Sequence, residues 1–274
     1  MILSNFHTHT VFCDGSNTIQ EYIDAALALG FHSLGFSGHG YVPCEGLYSG
    51  MTPEGAAEYL ETINMLKGKY ESHLQIFAGL ENDSANMLPV GCYDYTIGSV
   101  HSIKCGNKYY SVDSKAVITD LVIAVEFGGD GLAYAEAYYS TLSDFASLKR
   151  ADILGHIDLI RRFNTVDGQS VYFDEWDKKY RLSACAALEQ AVRSDYIIEV
   201  NTAPIHKGFS DEAYPSRFLL ELAKELGARI IVNSDAHFTS HLNFAFEKVE
   251  KMLRDIGFKE RWELTRDGFQ PVKI

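Results

Sequence analysis

The chain contains 274 residues, with a formal net charge of −13, 46% hydrophobic residues and 22% charged residues. This length and composition are typical of a globular protein with a substantial core, and we expect one domain over residues 1–274. The acidic balance argues against a nucleic acid as partner, because binding to a phosphate backbone needs clustered lysines and arginines. A small anionic substrate remains compatible, because bound metal ions can make a pocket locally positive.

The sequence also bears on the cellular compartment. It has no apolar run of about 18 residues or more, so we expect no membrane association. Residues 1–4 lack the basic region and the apolar run of a signal peptide. Five cysteines, without a CxxC pair, are typical of reduced thiols. We therefore expect a cytoplasmic protein, and the sequence leaves its oligomeric state open.

Seven short apolar runs, often rich in β-branched residues, recur along the chain and are mostly separated by segments with helical spacing. This alternation predicts an α/β fold, and a parallel β/α barrel would bring the C-terminal ends of its strands to one face. Active sites of such barrels are built at that face. The runs cover residues 2–6, 33–36, 74–79, 95–100, 153–154, 196–200 and 229–232.

The intervals between the runs carry helix start and stop patterns. Thr18-Ile19-Gln20-Glu21 is a capping box that predicts a helix toward Gly30. Thr52-Pro53 offers an N-cap and a first-turn proline for a helix running toward Lys69. Further helices are predicted for residues 173–194, 215–227 and 244–256, and two helices joined by a tight turn within residues 105–149.

Residues able to bind a metal follow six of the seven runs. His7 and His9 close the first run, and residues two apart on a strand point to the same side, so the pair presents two imidazoles to one place. Six of the ten histidines lie just after predicted strands, a joint pattern that indicates metal binding, although any one alone is more typical of a structural histidine. The residues after the later strands are His39, Glu81, His101, His156, and Asp235 with His237.

Carboxylates and the remaining histidines complete this pattern. Glu81 ends an apolar run, where burial of a carboxylate is costly unless it is paired or coordinating. On the residues alone, Asp14 in Cys13-Asp14-Gly15-Ser16 is more typical of a turn. Four histidines lie outside the pattern and are interpreted as ordinary, with His206 as the first candidate for an exception; they are His32, His73, His206 and His241.

Together these motifs resemble the PHP (polymerase and histidinol phosphatase) family, and within it the monofunctional histidinol-phosphate phosphatases. The resemblance implies a distorted seven-stranded (β/α) TIM-like barrel with a trinuclear metal centre. The matching motifs are His7-Thr8-His9-Thr10 with Cys13-Asp14-Gly15-Ser16, Phe36-Ser37-Gly38-His39, Gly79-Leu80-Glu81, Gly98-Ser99-Val100-His101, Gly155-His156-Ile157-Asp158, Glu199-Val200-Asn201-Thr202 and Ser234-Asp235-Ala236-His237.

The resemblance further implies three divalent metal ions. Carried over by motif, His7, His9, Glu81 and Asp235 hold the first, Glu81, His101 and His156 hold the second, and Asp14, His39 and His237 hold the third. Histidine and carboxylate ligands suit Zn, Fe or Mn, so the metal is left open. One position departs from the family, because Gly38 stands before His39 where many relatives carry an acidic residue.

The implied reaction is hydrolysis of a phosphate monoester, L-histidinol phosphate being the expected substrate, by a hydroxide that bridges two metals. The residues expected to act in catalysis are Glu81, Asp235, His237 and Arg161. Arg161 and Arg162 are expected to hold the phosphate, with the family position favouring Arg161. Asp83 and Tyr41 are candidates for the amine and imidazole of the substrate, and residues 40–51 for the wall of its pocket.

Other functions also remain compatible with the sequence. A PHP phosphoesterase acting on a nucleotide, a sugar phosphate or a phosphotyrosine would carry the same motifs. An amidohydrolase-type deacylase also begins with HxH, but it commonly uses a bridging lysine where Glu81 stands here. A metal-dependent binding or regulatory protein would be expected to lose ligands, and none is lost. The acidic charge disfavours a polymerase-associated exonuclease.

Overall fold

The computed structural model describes residues 1–42, 50–85, 88 and 91–274. Most of the predicted pocket wall at residues 40–51, together with Cys44, lies outside the described residues. The four described cysteines, Cys13, Cys92, Cys105 and Cys185, are free thiols. None of the helices in the described ranges combines the length and the apolar character needed to cross a membrane.

Thirteen strands and eight α-helices make up the described chain. The strands are β1 (Ser4–Asn5), β2 (Ser33–Phe36), β3 (Gln75–Asp83), β4 (Tyr95–Ser99), β5 (Ser102–Cys105), β6 (Lys108–Ser111), β7 (Ile153–Leu154), β8 (Thr165–Val166), β9 (Gln169–Ser170), β10 (Ile197–Asn201), β11 (Ile230–Asn233), β12 (Glu260–Thr265) and β13 (Gly268–Lys273). The helices are α1 (Ile19–Ala28), α2 (Pro53–Tyr70), α3 (Ala116–Glu126), α4 (Gly131–Ser147), α5 (Lys178–Arg193), α6 (Ala203–His206), α7 (Arg217–Glu225) and α8 (Phe246–Ile256).

Seven parallel strands form a barrel in the order β1-β2-β3-β4-β7-β10-β11. The barrel closes just beyond the ends of β1 and β11, where the His9 N–H donates to the Ala236 carbonyl (2.9 Å) and the Ala236 N–H donates to the His7 carbonyl (3.0 Å). Each of these strands lies within or against one of the seven predicted apolar runs. The prediction of a seven-stranded (β/α) barrel is therefore confirmed.

Local sequence explains the helix boundaries. Thr18 caps α1 with both halves of a capping box, and Gly30 follows the helix with φ +75°, a left-handed conformation that glycine adopts without strain. Thr52 caps α2, whose first residue is Pro53. The helix expected from residue 173 begins only at Lys178, because Asp177 caps it through the Lys179 N–H.

The inside of the barrel is filled by aromatic and aliphatic side chains from its strands. The Tyr95 hydroxyl donates to the Phe6 carbonyl (2.5 Å), and its ring occupies the space that a side chain at Gly35 or Gly79 would need. Glycine at these two positions therefore allows the tyrosine to cross the interior. The cluster consists of Phe6, Phe77, Tyr95, Ile97, Ile153, Ile197, Ile231 and Leu264.

Three antiparallel hairpins were not predicted, the smallest of which pairs β8 with β9. Strands β12 and β13 pair after the last barrel helix, and Leu264, Trp262 and Phe269 of this hairpin pack against the interior cluster. Strands β5 and β6 form a second hairpin, which occupies part of the interval in which only two helices were predicted. The two helices themselves are present as α3 and α4, and they are joined through glycines with φ +61° and +88° at Gly128 and Gly129.

Candidate metal centre

The C-terminal ends of the barrel strands bring eight of the nine predicted metal ligands to one mouth, and Asp14 reaches it from a loop. His7 and His9 follow β1, and His39 follows β2. Glu81 lies within β3, where an isolated β-bridge pairs it with His39 and prolongs the β2–β3 pairing. This arrangement follows from the parallel topology, because every strand points the same way. The remaining ligands follow β4, β7 and β11 and are His101, His156, Asp235 and His237.

Glu81 lies at the centre of the mouth and faces five imidazoles. Its side chain is buried, and Oε1 accepts a hydrogen bond from Ser99 Oγ (2.6 Å). A single carboxylate surrounded in this way can bridge two cations. The distances to its two oxygens are 2.9 Å from His39 Nδ1, 3.0 Å from His156 Nε2, 3.3 Å from His101 Nε2, 3.3 Å from His7 Nε2 and 3.5 Å from His9 Nε2.

Two of these imidazoles are held from behind by carboxylates. Nδ1 of His7 donates to Oε1 of Glu199 (2.6 Å), and Nδ1 of His101 donates to Oδ2 of Asp83 (2.9 Å). A histidine bound through Nδ1 presents Nε2 to the opposite side, which is the arrangement by which proteins orient histidine ligands toward a metal. Both Nε2 atoms accordingly point at Glu81.

A second group of ligands lies on the side of the mouth formed by β1, β2 and β11. One ligand atom from each of His9, Asp14, His39 and His237 lies within 4.8 Å of the others. Asp14 is drawn in from its loop by His237 Nε2, which lies 3.1 Å from its Oδ2. Asp235 has φ +50°, a sparsely populated conformation for a non-glycine residue that is typical of functional sites.

The electrostatic field around Glu81 favours cations, whereas burial and the neighbouring His237 and His39 lower the pKa of His9 to about 3. Burial acts to lower the pKa of His101, but the charge of Glu81 and the hydrogen bond to Asp83 outweigh it and raise that pKa to about 10. Burial acts to raise the pKa of Glu81, and the charges of His7, His39 and His101 lower it well below its usual range. A field that stabilises protonated imidazoles equally stabilises divalent cations.

Buried ligand atoms without hydrogen bonds provide a test of whether a metal fits. Nε2 of His7, Nε2 of His9 and Oε2 of Glu81 are buried and have no hydrogen-bond partner in the described part of the chain. These residues form a group whose ligand atoms lie within 4.8 Å of one another. Buried polar groups are nearly always satisfied, so three orphans at one point fit a metal ion bound between them.

A cavity of about 530 Å³ opens above these ligands. Its wall includes Glu81, His101, His156 and Asp235, and also the side chain of Arg162, whose guanidinium lies 4.7 Å from the Phe209 ring. The space is large enough for a small organic ligand.

The two consecutive arginines differ in what they contact. Arg161 does not line this cavity; its Nε donates to Glu175 (2.8 Å), and Asp158 and Glu212 lie within 3.8 Å of the guanidinium. Arg162 lines the cavity and makes a longer contact of 3.4 Å with Asp113. The geometry therefore does not support the preference for Arg161 as the phosphate contact and favours Arg162 instead.

Comparison with known proteins adds to this geometry. The model of the PHP domain matches residues 5–203. The chain belongs to the PHP domain family. It is similar to a Bacillus subtilis histidinol-phosphatase (26% identical, covering 88% of this chain and 96% of the relative) and to a Deinococcus radiodurans protein named "Probable histidinol-phosphatase" (29% identical, covering 93% of this chain and 94% of the relative).

A solved structure shares the fold. The histidinol phosphate phosphatase of Lactococcus lactis, in complex with Zn, L-histidinol and phosphate, superimposes with a TM-score of 0.75 at 19% identity and covers 97% of this chain and 98% of that chain. At 19% identity this similarity establishes the barrel fold alone, and the chemistry has to be inferred from the side chains of this chain.

Gly38, the position before His39 at which the resemblance implied an acidic residue, is closely surrounded. A Cβ atom at this position would lie 3.2 Å from Cε of Met51 and 3.4 Å from Sγ of Cys13. Two sulfur-containing side chains therefore take up the space beside the backbone of Gly38, next to His39.

The predicted substrate contacts Asp83 and Tyr41 are not among the described residues that form the cavity wall. Asp83 is buried beneath His101, to which it also binds through the backbone N–H (3.3 Å). Tyr41 is 40% exposed at the edge of the described segment. The structure thus favours an orienting role for Asp83, and Tyr41 is not among the described residues that line the mouth cavity.

Three residues near the site were given no role in the sequence analysis, although Glu199 stands in one of the matching motifs. Glu199 lies in the middle of an apolar strand, and the argument used for Glu81, that a buried carboxylate needs partners, would have found it. Lys207 lines the cavity with Nζ 3.7 Å from Oδ2 of Asp235, and Asp113 lines it beside Arg162. Neither of these two follows one of the predicted strands, so periodicity gave no indication of them.

Proposed function

We propose that this chain is a metal-dependent phosphomonoesterase whose substrate is L-histidinol phosphate, which it hydrolyses to L-histidinol and phosphate. The observation that carries the proposal is the union, in one cavity, of a buried histidine and carboxylate cluster with two cationic side chains, Arg162 and Lys207. The cluster suits metal ions, and the cations suit a phosphate.

The metal ligands are proposed as three sets. His7, His9, Glu81 and Asp235 would hold one divalent ion, Glu81, His101 and His156 a second, and Asp14, His39 and His237 a third. The close approach of His9, Asp14, His39 and His237 supports the third set and adds His9 at its edge. Bound ions of Zn, Fe or Mn would supply a hydroxide nucleophile and neutralise the phosphoryl oxygens.

The protein's own groups would bind and orient the phosphate ester. Arg162 has a planar guanidinium that can donate two parallel hydrogen bonds to phosphate oxygens, and Lys207 provides a point charge in the same cavity wall near Asp235. Both cations already touch carboxylates, Arg162 at Asp113 and Lys207 at Asp235, which holds them in place before the substrate arrives. Pre-orientation lowers the entropic cost of binding.

The part of the substrate beyond the phosphate would meet acidic and aromatic side chains. Among the described residues of the cavity wall, Asp113 is the carboxylate that lies outside the proposed metal sets, so it is the group suited to an ammonium. Phe209 and Phe238 offer flat apolar surfaces for an imidazole. The names of the Bacillus subtilis relative and of the Lactococcus lactis complex support this choice of substrate.

Another small phosphate ester is the second candidate, because the metal cluster and the two cations would serve any phosphomonoester. The test is phosphate release by purified, metal-analysed protein from L-histidinol phosphate beside a nucleotide, a sugar phosphate and a phosphotyrosine peptide. The proposal predicts a kcat/KM for L-histidinol phosphate at least about a hundredfold above the others, equivalent to about 3 kcal/mol of selective binding. Equal turnover of all four esters would leave the phosphatase and remove the substrate assignment.

A further inference from the structure

The imidazole of His9 is held from behind by a different kind of group than those of His7 and His101. A carboxylate accepts from Nδ1 in each of the latter two, whereas Sγ of Cys13 lies 3.5 Å from Nδ1 of His9. Because sulfur is larger than oxygen, a hydrogen bond to it is longer, and a thiol that is neutral at pH 7 is a weak acceptor. The proposed phosphatase reaction makes no use of this thiol.

A tight turn carries the thiol back to His9. The N–H groups of Cys13 and Gly15 both donate to the Thr10 carbonyl, at 3.0 and 3.1 Å. A Cβ atom at Gly15 would lie 2.3 Å from both the carbonyl carbon and the carbonyl oxygen of His9, so only glycine allows the turn to pack so closely. The backbone of the turn therefore places Cys13 beside this imidazole.

The thiol also fills a space that the neighbouring strand leaves free. A Cβ atom at Gly38, which follows β2, would lie 3.4 Å from Sγ of Cys13 and 3.2 Å from Cε of Met51. A larger side chain at position 38 would press on the sulfur. Glycine at this position therefore allows the thiol to pack against the backbone beyond β2 and still reach His9.

The proposed metal-binding role of His9 requires an acceptor at Nδ1. Nε2 of this ring is buried without a hydrogen-bond partner in the described chain, and it lies 3.2 Å from Oδ1 of Asp235 and 3.5 Å from Oε2 of Glu81. A neutral imidazole that offers Nε2 to a metal carries its proton on Nδ1. A buried N–H group without an acceptor is costly, so this N–H needs a partner.

Two acceptors lie close to Nδ1 of His9. Sγ of Cys13 is one, and Oδ1 of Asp14, at 3.4 Å, is the other. The Asp14 side chain is 38% exposed, its Oδ2 lies 3.1 Å from Nε2 of His237, and it is itself proposed as a metal ligand. A carboxylate whose lone pairs bind an ion and a second histidine has less capacity to accept from His9. The thiol, which the turn holds in place, is the acceptor that remains.

We propose that Cys13 is a positioning residue, whose sulfur accepts a hydrogen bond from the Nδ1–H of His9 and so turns Nε2 toward the metal. This inference rests on the proposed metal-binding role of His9, and it is independent of which ester is hydrolysed. A neutral sulfur polarises an imidazole less than the carboxylates behind His7 and His101 do. The metal ion at His9 therefore keeps more of its positive charge for the phosphoryl group.

The test compares metal binding by three variants and the wild-type protein. Cys13→Ala removes the acceptor, and Cys13→Ser replaces it by a hydroxyl that can accept from the same N–H group. Cys185→Ala removes a partly buried thiol of α5 and is the matched control. Metal-free proteins are titrated with Co(II) against a competing chelator, and the visible absorption of bound Co(II) reports the geometry of its ligands.

The two substitutions at position 13 are expected to differ. Cys13→Ala should need about five- to tenfold more free Co(II) for full occupancy, because the ring loses the bond that fixes its orientation. Cys13→Ser should stay within about threefold of the wild-type protein and keep its spectrum, because the hydroxyl restores an acceptor. A shifted Co(II) spectrum is expected for Cys13→Ala alone, and Cys185→Ala should bind Co(II) as the wild-type protein does.

Two results would overturn the proposal. One is wild-type Co(II) affinity in Cys13→Ala, with thermal unfolding of the metal-free protein as the check that the variant is folded. The other is an equal loss of affinity in Cys13→Ser and Cys13→Ala, which would mean that the sulfur only fills space. Failure of the phosphatase assignment is distinguishable, because wild-type protein that binds Co(II) without releasing phosphate would remove the reaction and leave the comparison of affinities intact.

Discussion

Glu199 should control metal binding although it is not among the proposed ligands. Its Oε1 accepts hydrogen bonds from His7 Nδ1 (2.6 Å) and Asn233 Nδ2 (2.9 Å), and its Oε2 accepts from the His156 N–H (2.9 Å) and Asn201 Nδ2 (3.0 Å). Four donors thus converge on one fully buried carboxylate. In Glu199→Gln, one of the two acceptors becomes an NH₂ group that faces donors, whichever way the amide is turned.

The expected loss follows from this geometry. Removal of a carboxylate that orients a metal-binding histidine typically lowers metal affinity or activity by about 10–100-fold, equivalent to about 1.4–2.7 kcal/mol. We therefore expect Glu199→Gln to bind metal at least tenfold more weakly. Its kcat should fall while its KM stays the same, because the phosphate contacts are unchanged.

Metal content after dialysis against a graded chelator, and phosphate release at saturating metal, measure the two effects. Glu225→Gln, the same change at an exposed helical position, is the matched control. Circular dichroism would establish that the variant is folded. Wild-type metal affinity together with wild-type kcat in folded Glu199→Gln would refute the orienting role of this carboxylate.

Three further predictions test other parts of the structure. Arg162→Ala should raise KM for the phosphate ester by about 10–100-fold and Arg161→Ala by less, because only Arg162 lines the mouth cavity. A larger rise in KM for Arg161→Ala in steady-state kinetics would instead make Arg161 the phosphate contact. His7→Ala should abolish phosphate release and reduce bound metal by elemental analysis, whereas wild-type turnover would remove it from the ligand set. Glu263 lies in strand β12. Burial acts to raise the pKa of Glu263, but its hydrogen bonds to His32 and Arg261 lower that pKa from 4.5 to about 2. The ionised Glu263 therefore stabilises the fold above pH 4.5, and this stabilisation is lost as the pH falls toward 2. Urea unfolding of Glu263→Gln should show a loss of up to about 3 kcal/mol at pH 7 that shrinks below pH 4.5, and equal stability at pH 7 would contradict this.

The barrel and its metal-binding mouth were predictable because both depend on local patterns. Each barrel strand is a short apolar run, and a ligand at its C-terminal end is brought to the mouth by parallel topology alone. His7, His9 and Glu81 could thus be placed together from their positions relative to the runs. Helix starts at Thr18 and Thr52 were equally predictable, since capping depends on residues within one turn.

Features that depend on side-chain direction or on distant contacts were not predictable. Arg161 and Arg162 are neighbours in sequence, and only the packing of Phe209 and the cluster of carboxylates around Arg161 decides which of them enters the mouth. The β12–β13 hairpin lacks the strict alternation of a half-buried strand, and its burial arises because Leu264 fills the barrel interior. Asp83, two residues beyond Glu81 on the same strand, turned out to lie beneath a histidine whose position is set by the neighbouring strand.

The most direct test of the central claim is a titration of metal-free protein with Zn, Mn or Fe(II), in which bound metal per chain and phosphate release from L-histidinol phosphate are measured on the same samples. The account predicts no release without metal, and release that rises to a plateau as about three ions bind per chain. Phosphate release that is undiminished in metal-free protein would contradict it, as would full metal binding without release of phosphate from any of the four esters.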